Sequence, residues 1–145
     1  MKSIDKASRL INGTFGELWL DGEKIAECTA CQAKLSKNKE DINLCGDIVV
    51  DSKLMSIKGT GSLTLYHVDS GFLQREPDLK SGVDRRFTIV SKLKDPDAMG
   101  AERIAIYNVS FDDMTLTDWA AAKNGQITKP FTFTRYELLD QIQPV

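Results

Sequence analysis

The chain has 145 residues, of which 41% are hydrophobic and 28% charged, a length and mixture that fit one globular domain with its own core. Its 19 Lys+Arg against 21 Asp+Glu leave a net charge of −2, which argues against a protein held on nucleic acid or anionic membrane by bulk charge. No stretch approaches the ~18 consecutive apolar residues of a spanning helix, so no membrane anchor is expected. Three cysteines are too few and too odd a number for a disulfide framework, and the opening MKSIDKASRLING lacks the apolar core of a secretory signal. A chain made in a reducing cytoplasm is the expectation.

Strand patterns dominate. Residues 15–20 (FGELWL) run into Asp21-Gly22, the pair that favours a tight type I′ hairpin turn, and 23–37 resumes in extended style. Residues 38–54 break the pattern with mixed charges around Ile48, Val49 and Val50, and are expected as an irregular excursion. Alternation returns at 55–68, with Met55, Ile57, Leu63 and Leu65 on one parity and Ser56, Lys58, Thr60, Ser62, Thr64 on the other. Ser70 can cap a short helix carrying Phe72, Leu73, Glu76 and Leu79, interrupted by Pro77 and stopped at Gly82. Strands are then expected over 86–93, 102–112, 114–121 and 129–137, with 138–145 as a C-terminal arm. The fold class is mainly β: an antiparallel β-sandwich or barrel with one short α-helix, in a single domain over 1–145. Two of its strands are long for so small a domain, and that hints at assembly.

Chemistry is hard to find. Cys28 and Cys31 form a C-x-x-C that, with Cys45 and His67, has the residue types of a zinc site. On a regular strand residues three apart face opposite ways, so the two thiols are not expected to share a metal without a bulge. His67 is the only histidine and no G-x-S-x-G elbow surrounds any serine. Gly59-Thr60-Gly61-Ser62 lacks the Gly-Lys-Ser/Thr ending of a phosphate loop. Asp95/Asp97, Asp112-Asp113, Arg85-Arg86 and the lysines at 34, 37 and 39 read as solvated charges. No catalytic residue, no metal site and no cofactor is expected.

The order of elements nevertheless resembles a known fold. The segments 16–27 (GELWLDGEKIAE), 35–46 (LSKNKEDINLCG), 59–72 (GTGSLTLYHVDSGF), 102–113 (ERIAIYNVSFDD) and 130–136 (PFTFTRY) are similar, in that order, to the tail tube proteins of contractile phage tails and tail-like bacteriocins, the PBSX-type prophage tube family. The resemblance implies six copies closing into a ring, each lending long strands to one β-barrel around a lumen, with rings stacked into a tube. It implies as partners further copies, a tail sheath protein, a baseplate hub, a tail terminator, and a tape-measure protein or DNA in the lumen. By strand parity the lumen-facing candidates are Lys24, Gln32, Lys34, Ser56, Lys58, Thr60, Ser62 and Thr64, with Ala26, Cys28 and Ala30 sharing the parity of the first strand. A register error of one residue would exchange the faces, and a polar strand face is also what ordinary solvent exposure produces.

Contacts between subunits or rings fall, on the same resemblance, to Lys39, Glu40, Asp41, Ile42, Leu44, Ile48, Val49 and Val50 of the excursion. Ile4 and Leu10 of the N-terminal arm (1–14), and Leu138, Leu139 and Ile142 of the C-terminal arm, join them. The product is expected in a phage tail or a released tail-like particle. The alternatives are a type VI secretion-type tube protein and a monomeric β-sandwich module that binds a ligand. The aromatics Trp19, Tyr66, Tyr107, Trp119 and Tyr136 are scattered and give the second little support.

Overall fold

A computed structural model describes residues 7–68, 70–75, 79–97 and 100–142. Its strands are β1 (Gly16–Leu20), β2 (Glu23–Lys24), β3 (Cys28–Ile42), β4 (Asp51–Tyr66), β5 (Phe87–Leu93), β6 (Glu102–Phe111), β7 (Gln126–Phe133) and β8 (Arg135–Asp140), with one short helix, α1 (Gly71–Arg75). Every pairing is antiparallel. The order is β2-β1-β5-β6-β7-β4-β3, with β8 also on β6.

The Asp21-Gly22 turn forms as expected, both residues having positive φ (51° and 84°). The Asp21 carboxylate accepts the Thr88 N–H at 2.8 Å, which ties the turn to β5. Beneath it lies a core of Leu18, Leu20, Ile25, Leu63, Leu65, Phe87, Ile89, Ile106, Val109, Phe131 and Phe133. The rings of Phe87, Phe111, Phe131 and Phe133 run through it in sequence, with centroids 5.2, 6.3 and 6.2 Å apart.

Two glycines make this packing possible. Gly61 and Gly59 stand directly opposite Phe131 and Phe133 in the ladder. A Cβ on Gly61 would lie 2.2 Å from the Gln32 carbonyl oxygen and 2.6 Å from the Phe131 ring; on Gly59 it would lie 2.6 Å from the Phe133 ring. The glycines that weaken β4 as a strand thus let two aromatic rings lie across it.

Strand β6 belongs to both halves of the sandwich. Its first half pairs with β8, while Ser110 and Phe111 pair with β7. The change falls at Asn108, whose φ is 59° and whose side-chain amide donates to Thr134 Oγ at 3.0 Å, at the break between β7 and β8.

Several expectations are corrected. The excursion over 38–54 is mostly strand: β3 continues to Ile42 and β4 begins at Asp51, leaving 43–50 as the connection. Their charge-rich composition suggests irregular chain, but the residues pair, Glu40 opposite Lys53 and Ile42 opposite Asp51. The expected strand 23–37 is interrupted, β2 being two residues long. The helix is one turn and a fraction: the Ser70 carbonyl accepts the Gln74 N–H at 3.1 Å and α1 ends at Arg75. Glu76 and Pro77 lie outside the described residues, and Leu79–Ser81 form a separate turn before Gly82, at φ 77°. The strand expected over 114–121 does not form. The one expected over 129–137 is β7 and β8, and β8 takes in Leu138 and Leu139 of the expected C-terminal arm.

Candidate functional site

The β3–β4 hairpin is the feature that dominates the surface. At roughly 3.3 Å per residue, the 16 residues of β4 span about 50 Å. Only Gly59–Tyr66 have β7 on their other edge. From Asp51 to Lys58 the strand pairs with β3 alone, and every residue there is exposed. β3 ends the strand order, so among the described residues its outer edge is unpaired along Cys28–Ile42.

Registered partners share a face. One face carries Ala30/Thr64, Gln32/Ser62, Lys34/Thr60, Ser36/Lys58 and Asn38/Ser56, and the other carries Cys31/Leu63, Ala33/Gly61, Leu35/Gly59 and Lys37/Ile57. The first face is continued across β7 by Thr128, Pro130 and Thr132. The lumen candidates Gln32, Lys34, Ser56, Lys58, Thr60, Ser62 and Thr64 therefore lie together on one hydroxyl-rich surface. Over these rungs its only charges are Lys34 and Lys58; farther out Glu40 is matched by Lys53. Lys24 is elsewhere, on β2 opposite Trp19, with its ammonium 3.6 Å from Glu17. Ser36 and Thr128 were missed, though Ser36 shares the parity of Lys34. Asn38 lay inside the presumed excursion.

Two bulges reset parity. Thr29 is extra between the Cys28/Leu65 and Ala30/Thr64 pairs, and Met55 is extra between Asn38/Ser56 and Lys39/Leu54. Because of the first, Cys28 turns to the core side and packs against the apolar cluster. Cys28 and Cys31 thus share a face, against the expectation of opposite faces. Both thiols are held above the ordinary value of 9.0: Cys28 by burial, partly offset by its bond to the Ala30 carbonyl and reinforced by Glu27, and Cys31 to about 12 by burial and then Cys28. Cys31 keeps an open residue surface even so; crowding around its thiol is enough to set the direction. Protonated thiols are poor nucleophiles and poor metal ligands. No group of three metal-ligating side chains occurs among the described residues.

The contact candidates are spread along the exposed periphery. Lys39, Glu40, Asp41 and Ile42 end β3. Leu44, Ile48, Val49 and Val50 form the hairpin tip, where Ile48 is 99% exposed. Leu10 is exposed after a short N-terminal turn, and Leu138 and Leu139 are exposed on β8, while Ile142 just beyond is half-buried. Ile4 lies outside the described residues. Exposed apolar residues that none of the sequence signals flagged include Leu54 and Leu116.

Two concave sites among the described residues are small. One cavity of ≈ 40 Å³ lies among Asp84, Phe87, Phe111 and Asp112, and another of ≈ 20 Å³ among His67, Leu73, Leu116 and Lys129. Each has room for about a water or two, against roughly 300–1,000 Å³ for a small-molecule site. Lys129 is buried with its ammonium 4.9 Å above the Phe111 ring. No helix of the described residues is long and apolar enough to cross a membrane.

A long hairpin with open edges and an apolar tip, beside cavities of water size, is the arrangement of a structural protein that builds with other chains. The family model described as "Phage tail tube protein" matches residues 4–140, and the chain belongs to that family as a structural subunit of the tail tube. It is 32% identical over 140 residues to the phage-like element PBSX protein XkdM of Bacillus subtilis (strain 168), covering 94% of this chain and 95% of that one. The uncharacterized protein YqbM of the same organism is 33% identical over 141 residues, covering 95% and 96%. Among solved structures, the sheath/tube terminator structure of the extracellular contractile injection system PVC superposes at TM-score 0.69 with 10% identity, over 93% of this chain and 100% of that chain. The tube-terminating cap structure of the anti-feeding prophage superposes at 0.70 with 8% identity, over 96% and 97%. At these identities the structural likeness speaks for the fold.

Proposed function

We propose that six copies of this chain close into a ring around a lumen, and that rings stack into the inner tube of a contractile tail or tail-like particle. One observation carries the reading: among the described residues the outer half of the β3–β4 hairpin is exposed and pairs with no further strand of its own subunit, although a two-stranded hairpin alone is marginal in water. Pairing with other copies would cover its edges and its apolar residues, and closure would remove the open edge of β3. The Gln32–Lys34 and Ser56–Thr64 face would then line the lumen, and the tip at 44–50 would meet a neighbouring subunit or ring.

The role is mechanical. A sheath outside the tube would shorten and drive it through an envelope, with a baseplate hub at one end, a terminator at the other, and a tape-measure protein or DNA within. Stiffness would come from backbone hydrogen bonds between subunits and from large buried interfaces. The subunit would be made in the bacterial cytoplasm and leave in the particle.

The test is negative-stain electron microscopy of the purified chain at high concentration, alone and with a baseplate-hub protein as initiator, together with its mass by light scattering. Six-fold rings or tubes with a central hole are the expected result. A monomer in both settings overturns the reading.

A further inference from the structure

Resting on the tube reading, the sheet order raises the question of what occupies the free edge of β3. The half of the sandwich bearing the hydroxyl-rich face runs from the end of β6 through β7 and β4 to β3. Copies repeated around an axis meet heterologously, so the β3 side of one must face the β6 side of the next. On that side the chain does not stop at Phe111. The Asp112 N–H donates to the Pro130 carbonyl at 2.8 Å and prolongs the ladder by one residue. The following segment, 114–121 (MTLTDWAA), has strand-type alternation with two threonines, yet forms no strand. Its Leu116 is exposed and Trp119 is 84% exposed.

We infer that segment 114–121 of one subunit becomes a strand on the free edge of β3 in the next. The two features complete each other. A strand pattern that forms no strand lies at one side of the sheet, and a 15-residue edge without a partner strand among the described residues lies at the other. The direction is also right. β6, β7, β4 and β3 alternate, so a segment continuing in the direction of β6 runs antiparallel to the neighbour's β3. Eight residues at about 3.3 Å each would cover about half of that edge. Within one subunit β7 and β4 separate the two elements, so the pairing needs a second copy.

Hydrogen exchange read by mass spectrometry, on wild-type tubes and on the free subunit, tests the pairing. In tubes the amides of 114–121 are expected to slow by about 100-fold relative to the free subunit, as amides locked in a ladder do. Thr117→Pro, which removes a mid-segment donor, is expected to leave the melting temperature of the free subunit unchanged and abolish rings, while Thr117→Val assembles. Wild-type rings whose 114–121 amides exchange at the free-subunit rate, or rings formed by Thr117→Pro, overturn the pairing and leave the tube reading standing. If Thr117→Pro unfolds the subunit, the exchange pattern of wild-type tubes decides alone. A wild-type chain that forms no rings with an initiator overturns the tube reading and this pairing with it.

Discussion

The two halves of the β3–β4 hairpin have the same backbone pairing and opposite surroundings. At its base, Gly59 to Tyr66 run between β3 and β7, and Leu63 opposite Lys129 and Gly61 opposite Phe131 sit over the aromatic chain of the core. Farther out, Ser36–Ile42 and Asp51–Lys58 form a bare ribbon with Leu54, Met55 and Ile57 in solvent. The base is held by burial that the subunit provides for itself. The ribbon keeps the alternation of a buried strand without a surface to bury it against. The stability of the folded subunit and the capacity to assemble therefore reside in different stretches of the same two strands.

That division can be broken most strongly at the base. Phe131→Ala removes a fully buried ring and is expected to cost about 4 kcal/mol of subunit stability, measured by urea unfolding of the free chain. Gly61→Ala comes next, at about 3 kcal/mol, because the added methyl meets the Gln32 carbonyl and the Phe131 ring rather than open space. A Gly61→Ala subunit as stable as wild type would mean that β3 and β7 can part at no cost and that the base is not tightly packed. On the ribbon, Leu54→Asp combined with Ile57→Asp is expected to change the free subunit by no more than about 0.5 kcal/mol, since both side chains are already exposed. The same variant is expected to give no rings under the microscope. Normal rings from it would place the subunit contacts away from this face of the ribbon.

The sequence carried the base better than the ribbon, for physical reasons. Alternation over 55–68 and the Asp21-Gly22 turn are local signals, and the lumen candidates of β3 and β4 share one face because parity holds from Ala30 to Asn38. It fails at Thr29 and Met55, where nothing in the residues announces a bulge, and Cys28 consequently left the lumen side for the core. Lys24 shares the parity of Lys34 but is cut off by the turn after β2. The run Asn38–Asp41 has poor strand formers, and cross-strand pairing outweighs that preference. Segment 114–121 shows the reverse case: the pattern is present, and the isolated subunit forms no strand there.

The smallest effect concerns the three cysteines, which report on the two halves without disturbing either. Cys28 and Cys31 sit at the base and Cys45 near the exposed tip. With Cys31 held at about 12 rather than 9.0, its thiolate fraction at pH 8 falls on the order of 1,000-fold below that of an ordinary thiol. Iodoacetamide labelling of the free subunit, followed by mass spectrometry, is therefore expected to mark Cys45 fast and Cys31 slowly. The linkage has a definite sign. A thiol whose folded value is raised favours the folded state fully below the unfolded value, and that contribution is lost as pH rises from 9.0 toward about 12. Labelling of Cys31 should accordingly accelerate through that window, as the thiolate forms and the base loosens. In tubes Cys45 should become slow as well, because the tip is then covered by another copy. Equal rates at Cys31 and Cys45 in the free subunit would remove the contrast between a packed base and an open ribbon. A Cys45 rate that assembly leaves unchanged would show the tip to be a free surface of the tube.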